Sequence, residues 1–173
     1  MNLRSPIVRK LFLSATLLIA ATLTVLDFYM ARYMARRQVE TVEQRLEAQA
    51  RLLAAEAATT SRDQLESWAH GTGARAQARV TLMDSQGVVL ADSEHDPETM
   101  ENHAGRPEVR EALRAGRGTS IRHSQTLDHD LCYLAIPISY HGDARAVLRL
   151  AVPIEDVEEA VSAIRLRLLA ASL

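Results

Sequence analysis

Residues 11 to 26, LFLSATLLIAATLTVL, carry no charge, and the apolar character extends from Leu11 to Ala31 with Asp27 as its one interruption. At about 1.5 Å of rise per residue, such a helix spans roughly 30 Å, the thickness of a hydrocarbon core. A membrane-spanning helix is therefore expected over 11–31, after a short basic tail with Arg4, Arg9 and Lys10. No small-residue cleavage signal follows the run, which favours a retained anchor over a removed signal peptide. Arg32, Arg36 and Arg37 balance the three N-terminal cations, so charge leaves orientation open. The short basic tail that precedes a first helix argues for the N-terminus inside. Asp27 sits near the outer end of the span, where its carboxylate reaches interfacial water.

Beyond the anchor, Ala35 to Trp68 contains no Gly or Pro and places Val39, Val42, Leu46, Leu53 and Ala57 at three- and four-residue steps, with Gln49 as the polar break. This spacing predicts a long helix that Gly71 and Gly73 end, with Glu47 and Arg51 as a surface pair. Its apolar stripe suits packing on its own domain and equally a short parallel coiled coil with a second copy, which makes Val39, Val42, Leu46 and Leu53 candidate dimer contacts.

From Arg79 the apolar period becomes two. Val80 and Leu82, a turn at Asp84 to Gly87, then Val88 and Leu90 predict a β-hairpin. Asp96 before Pro97, and Arg106 before Pro107, mark two helix starts, and Gly116 marks an end. Gly118 to Thr126, Asp130 to Tyr140 and Ala144 to Ile154 read as three further strands. Cys132, Leu134, Ile136 and Ile138 define one apolar face and Ala146, Leu148, Leu150 and Val152 the next, with a turn at His141 to Asp143. Val157, Val161, Ile164 and Leu168 predict an exit helix over Asp156–Leu168, and the apolar LLAASL reads as the beginning of a second membrane helix in a longer polypeptide. The expected class is α+β: a five-stranded antiparallel sheet with a long N-terminal helix, bracketed by membrane helices, on a PAS-like or Cache-type plan. The corresponding segments are a tail (1–10), a span (11–31), a stalk helix and linker (32–77), a sensor-like domain (78–155) and an exit helix (156–173).

Composition narrows the chemistry. The chain is 47% hydrophobic, 4% aromatic and 24% charged, with a formal net charge of -2, so bulk charge gives no nucleic-acid footprint. One cysteine, Cys132, excludes an internal disulfide and is expected as a small buried hydrophobe. Asp84 and Asp96 fit a turn and a helix cap, and with Asp92 and Glu94 they are expected to be structural rather than catalytic. His95, His103, His123, His129 and His141 show no ligand spacing, and Ser93 near His95 lacks the rest of a triad, so no metal, cofactor or catalytic site is expected. The set that suggests binding is Asn102, His103 and Arg106 before the second short helix, with Arg122 and Tyr133 on strands: a loop folded over the sheet would gather these donors around a small anion, while the simpler and favoured reading is that Asn102 and Arg106 only fix the loop to the backbone.

The strings VTLMDSQGVVLADSEHDPETMENHAGRPEVREAL and GTSIRHSQTLDHDLCYLAIPI, over about residues 78–155, resemble the extracytoplasmic sensor region of phosphate-regulon-type sensor histidine kinases. The resemblance implies a homodimeric receptor of the bacterial inner membrane, its sensor domain outside the cytoplasm. A kinase portion absent from this sequence would pass the signal to a cognate response regulator. None of the six histidines lies in a phosphoacceptor motif. The alternatives are the sensor module of a chemoreceptor or cyclic-dinucleotide enzyme, and a membrane-anchored scaffold.

Overall fold

The structure, a computed structural model, describes residues 6–124, 129–141 and 144–154. The chain divides into two compact units, one containing the described residues 6–38 and the other Val39–Glu155. In the first, helix α1 (Pro6–Thr59) carries the apolar run. An 18-residue window there has mean hydropathy 2.0 and is wholly uncovered by the chain; among the described residues it is the one helix long and apolar enough to cross a membrane. The hydroxyls of Ser14, Thr16, Thr22 and Thr24 donate to carbonyls one turn back at 2.8–2.9 Å, which hides their polarity inside the helix.

The second unit holds an antiparallel sheet in the order β2-β1-β5-β4-β3, formed by β1 (Arg79–Asp84), β2 (Val89–Asp92), β3 (Gly118–Ser124), β4 (His129–Tyr140) and β5 (Ala144–Pro153). The long N-terminal helix, the α+β class and the five strands agree with the sequence pattern. Leu46, Ala50 and Ala57 of α1, with Leu65 and Ala69 of α2 (Leu65–Ala76), pack on Val80, Leu82, Cys132, Leu134, Ile136, Ile138, Leu148 and Leu150. Both strand faces read from alternation thus belong to one core. Val42 and Leu53 also pack there, while Val39 is half-buried. The stripe is therefore used within the domain, and Leu46, 1% exposed, presents almost nothing to a second copy. Pro137 lies past the last β3 pairing, Gly118 opposite Ala135, so its missing N–H costs no bond on that side.

Three expectations need correction. The helix does not run to Trp68: α1 ends at Thr59, Ser61 is extended, and one 3-10 turn (Arg62–Gln64) leads into α2. Tertiary donors take the exposed helix end, since Tyr140 Oη donates to the Thr60 carbonyl at 3.2 Å and the His141 N–H to that of Ala58 at 3.3 Å. Gly71 and Gly73 lie inside α2 and do not end it; Gln77, at φ 50°, does so. Gly73 is there for closeness, because a Cβ would stand 2.6 Å from the Ser93 Cβ. In the hairpin, Val88 is 48% exposed and precedes β2, whose extra residue, Leu90, forms a bulge that puts Ala91 opposite Leu82 and Val89 opposite Met83.

Other signals hold. Asp84 Oδ1 accepts the N–H groups of Gln86 and Val88 at 2.8 and 2.9 Å. Asp96 caps a 3-10 turn (Pro97–Thr99) through the Glu98 N–H at 2.9 Å, and α3 (Pro107–Ala115) begins at Pro107 and closes at Gly116, φ 82°. Glu47 binds Arg51 at 2.8 Å and also Arg117. Residues 125–128, with the predicted strand end Thr126, residues 142–143 of the predicted turn, the exit helix Asp156–Leu168 and LLAASL lie outside the described residues.

A Cβ on Gly118 would stand 2.0 Å from the Glu108 carbonyl oxygen, whereas one on Gly71 meets nothing within 4 Å. Gly118→Ala is expected to destabilise the full chain by about 2 kcal/mol or more, and Gly71→Ala to stabilise it by about 0.5 kcal/mol. Thermal unfolding in detergent micelles checks both; equal effects would contradict the close approach of α3 to β3.

Candidate functional site

On the face opposite the main core, the small cluster Met83, Val109, Ala112, Ala135 and Val147 beds α3 on the strands. Beside it the same alternation of each strand supplies Arg79 and Thr81 from β1, Arg149 from β5, Tyr133 from β4, and Ser120 and Arg122 from β3. The register sets Thr81 opposite Arg149, and Ser120 opposite Tyr133. Because α3 and the loop before it cover these positions, charges that a bare sheet would show to water are enclosed and must find partners.

They do so as a connected network. Arg79 Nε meets both Asp92 carboxylate oxygens at 3.1 Å, and the Thr81 hydroxyl donates to Asp92 at 2.7 Å. Arg149 Nη2 donates to Thr81 Oγ1 at 3.0 Å, and its Nη1 stands 3.6 Å from Glu108 Oε1. That same oxygen accepts Arg122 Nη2 at 2.8 Å, and Ser120 donates to the other at 2.7 Å. The Tyr133 ring centroid lies 4.2 Å from the guanidinium carbon of Arg122 and 5.3 Å from that of Arg149. Glu108 and Asp92 are fully buried and Arg149 is 3% exposed. Burial and the neighbouring Arg79 push the Arg149 guanidinium down to about 10 against the pull of Glu108, so it stays charged at neutral pH. Burial opposes the charge on Asp92, yet Thr81, the Glu94 N–H and Arg79 outweigh it and hold its carboxyl below the usual range.

The loop Ser93–Arg106 is pinned from outside. Asn102 Nδ2 donates to the Gln86 carbonyl at 2.9 Å, its Oδ1 accepts the Ala104 N–H at 2.8 Å, and the His103 N–H donates to the Gly87 carbonyl at 2.8 Å. Gly87, at φ 82°, has no room for a side chain, since a Cβ would stand 2.2 Å from the Ala104 nitrogen. His103 is thereby turned inward, 6% exposed, and Arg149, Arg106, Arg79 and Asp92 are the charged groups that act on it. Burial first, then those arginines, lowers its imidazole to about 4.

Of the sequence candidates, the structure thus gathers His103, Arg106, Arg122 and Tyr133 around one face, and it commits the Asn102 side chain to the hairpin turn. Arg106 is the N-cap residue of α3. Three buried nitrogens of this group, Arg149 Nε, Arg122 Nε and His103 Nδ1, have no hydrogen-bond partner among the described residues. Sequence reasoning missed Arg149, Glu108, Arg79 and Thr81, and expected Asp92 only as a structural carboxylate. The signal for Arg149 was present, as a charge amid the apolar run VLRLAV of β5. Cys132 lies on the other face, fully buried, and its thiol is pushed up to about 11 mainly by burial, as for an inert hydrophobe. Among the described residues no three His, Cys, Asp or Glu side chains gather as metal ligands.

No protein-family model matches the chain. No curated protein matches it either. Solved structures do share its fold. The sensor domain of Escherichia coli DcuS is 13% identical with a TM-score of 0.54, over 73% of this chain and 98% of that one. The ligand-binding domain of the Pseudomonas aeruginosa amino-acid chemoreceptor PctC, in complex with GABA, is 12% identical with a TM-score of 0.54, over 78% and 65%. The sensor domain of the Vibrio cholerae histidine kinase DctB is 15% identical with a TM-score of 0.51, over 84% and 59%. The chain thus shares the fold of these sensor and ligand-binding domains.

A neutral His103 makes stability depend on acid. Its folded-state value, about 4, lies below the ordinary 6.5, so the unfolded chain binds the extra proton and stability is lost as pH falls from about 6.5 towards 4. The loss is expected to be on the order of 2 kcal/mol after allowance for screening. Denaturant midpoints of the full chain between pH 7 and 4 should fall more steeply for the wild type than for His103→Gln; parallel curves would show that another group carries the dependence.

Proposed function

We propose that the chain is the membrane-anchored, extracytoplasmic sensor portion of a signalling receptor, and that it recognises a small anion on the covered face of its sheet. The observation that carries the reading is the arginine pair beside Tyr133, with Arg149 Nε, Arg122 Nε and His103 Nδ1 buried and without hydrogen-bond partners among the described residues. A carboxylate or phosphate oxygen is the acceptor that the two arginine N–H groups lack, as does His103 in the tautomer that carries its proton on Nδ1, and charge-assisted hydrogen bonds are the strong ones. The shared fold supports the sensor assignment, and GABA, held by the PctC domain, is itself a carboxylate.

Within this reading, Leu11–Ala31 is the membrane span, the N-terminus is cytoplasmic, and the domain faces outward from the inner membrane. The residue strings of 78–155 favour a histidine kinase of the phosphate-responsive type that works as a homodimer and hands its phosphoryl group to a response regulator. The PctC fold match equally suits a chemoreceptor output, the second reading. A reporter alkaline phosphatase fused after Arg37 is expected to be active; an inactive fusion would reverse the orientation.

Binding is tested by calorimetry on the full chain in micelles with inorganic phosphate, succinate and GABA. At least one is expected to bind and to raise the melting temperature. Arg122→Gln, at a side chain 28% exposed, should weaken that binding about tenfold, for a loss of roughly 1.5 kcal/mol. Absence of heat and of any melting shift with all three probes would overturn the anion-sensing reading.

A further inference from the structure

The candidate anion site already contains an anion. Glu108 Oε1 takes Arg122 Nη2 at 2.8 Å and stands 3.6 Å from Arg149 Nη1, bridging strands β3 and β5. Its other oxygen holds Ser120, and the side chain is fully buried. A ligand oxygen that reaches the same two guanidiniums must displace the Glu108 carboxylate or share its donors, because two carboxylates around one pair repel. The two differ in one respect: the ligand is free, whereas Glu108 is the second residue of α3. Its backbone is also held tightly, with its carbonyl oxygen against Gly118 at the start of β3. The Glu108 side chain therefore latches the first turn of α3 to the sheet.

We propose that Glu108 is a displaceable internal ligand: it occupies the arginine pair in the unliganded domain, and an arriving carboxylate or phosphate takes its place and frees the N-terminal turn of α3. This deepens the anion-sensing reading and rests on it. Arg149 Nε and Arg122 Nε fit the scheme, since one buried carboxylate engages the tips of both guanidiniums and leaves their inner N–H groups without an acceptor. A guest with more oxygens than Glu108 offers, such as phosphate, gains those donors on exchange. Conversion of anion binding into movement then needs no change in the apolar face against α1 and α2.

The test compares the wild-type full chain with Glu108→Gln in micelles, using inorganic phosphate and succinate as probes. Glutamine keeps an acceptor for Ser120 and removes the competing charge. The variant is expected to bind the anion at least tenfold more tightly, and to show a lower melting temperature than wild type that the anion restores. In wild-type protein, anion concentrations that give the full thermal shift should speed amide hydrogen exchange over Val109–Ala115. Equal or weaker binding by Glu108→Gln, or exchange over α3 that is unchanged or slowed, overturns displacement while leaving anion sensing in place. No binding by either protein removes anion sensing and the latch with it. Should Glu108→Gln fail to fold, the exchange experiment on the unaltered chain decides.

Discussion

A guanidinium in the middle of a covered strand has to be matched by acceptors, and Arg149 imposes that requirement on everything built over the second face of the sheet. It stands on β5, the central strand, with β1 and β4 on either side. Thr81 meets it from β1 and Glu108 from α3. For Glu108 to reach it, α3 must begin where Pro107 begins it and lie so close to β3 that residue 118 has no side chain. Arg122 and Ser120 then fill the remaining capacity of Glu108, and Asp92 and Arg79 extend the chain of charges to the edge strand. Such an assembly adds little net stability compared with an apolar core, but removal of one member leaves a buried charge unmatched, at a cost of about 3–5 kcal/mol.

The two faces consequently have different physical characters. Against α1 and α2 the strands present Leu, Val, Ile and Ala with Cys132, close-packed and indifferent to pH or salt. Against α3 and the loop they present charges, a phenol ring and hydroxyls, held by directional hydrogen bonds and ion pairs rather than by close packing. Hydrogen bonds to the hairpin turn fix the middle of the loop, at Asn102 to Ala104. The first turn of α3 is held by Glu108. On the proposed reading, a response to a small ligand belongs to the polar face and its cover, and the apolar face is the rigid frame for it.

Much of this architecture was legible in the chain. Period-two alternation in β4 and β5 identified the core face residue by residue, because one side of each strand packs on a continuous apolar layer. Asp84, Asp96, Pro97, Pro107 and Gly116 marked turns and helix ends through local geometry and short-range hydrogen bonds, which need no tertiary partner. Where the reading failed, a distant segment had decided. Gly73 sits inside a helix because Ser93 presses on it, and α1 stops at Thr59 where Tyr140 and His141 take the free carbonyls. Gly71 shows that a glycine in open space does not end a helix by itself.

By itself the sequence determined the order of the strands, the buried face of the central ones, and that His103, Arg106, Arg122 and Tyr133 were candidates for one cluster, since periodicity, turn chemistry and residue type are local properties. Only the tertiary structure decided that the Val42, Leu46 and Leu53 stripe would be used within its own domain, that Arg149 and Glu108 would meet across 41 positions of chain, and that Asn102 would serve the hairpin turn. The reason is physical: whether a polar side chain on a strand faces water or a partner depends on what covers that face, and the cover here comes from a helix whose docking is set by a carboxylate and a missing Cβ far apart in sequence from the cation they accommodate.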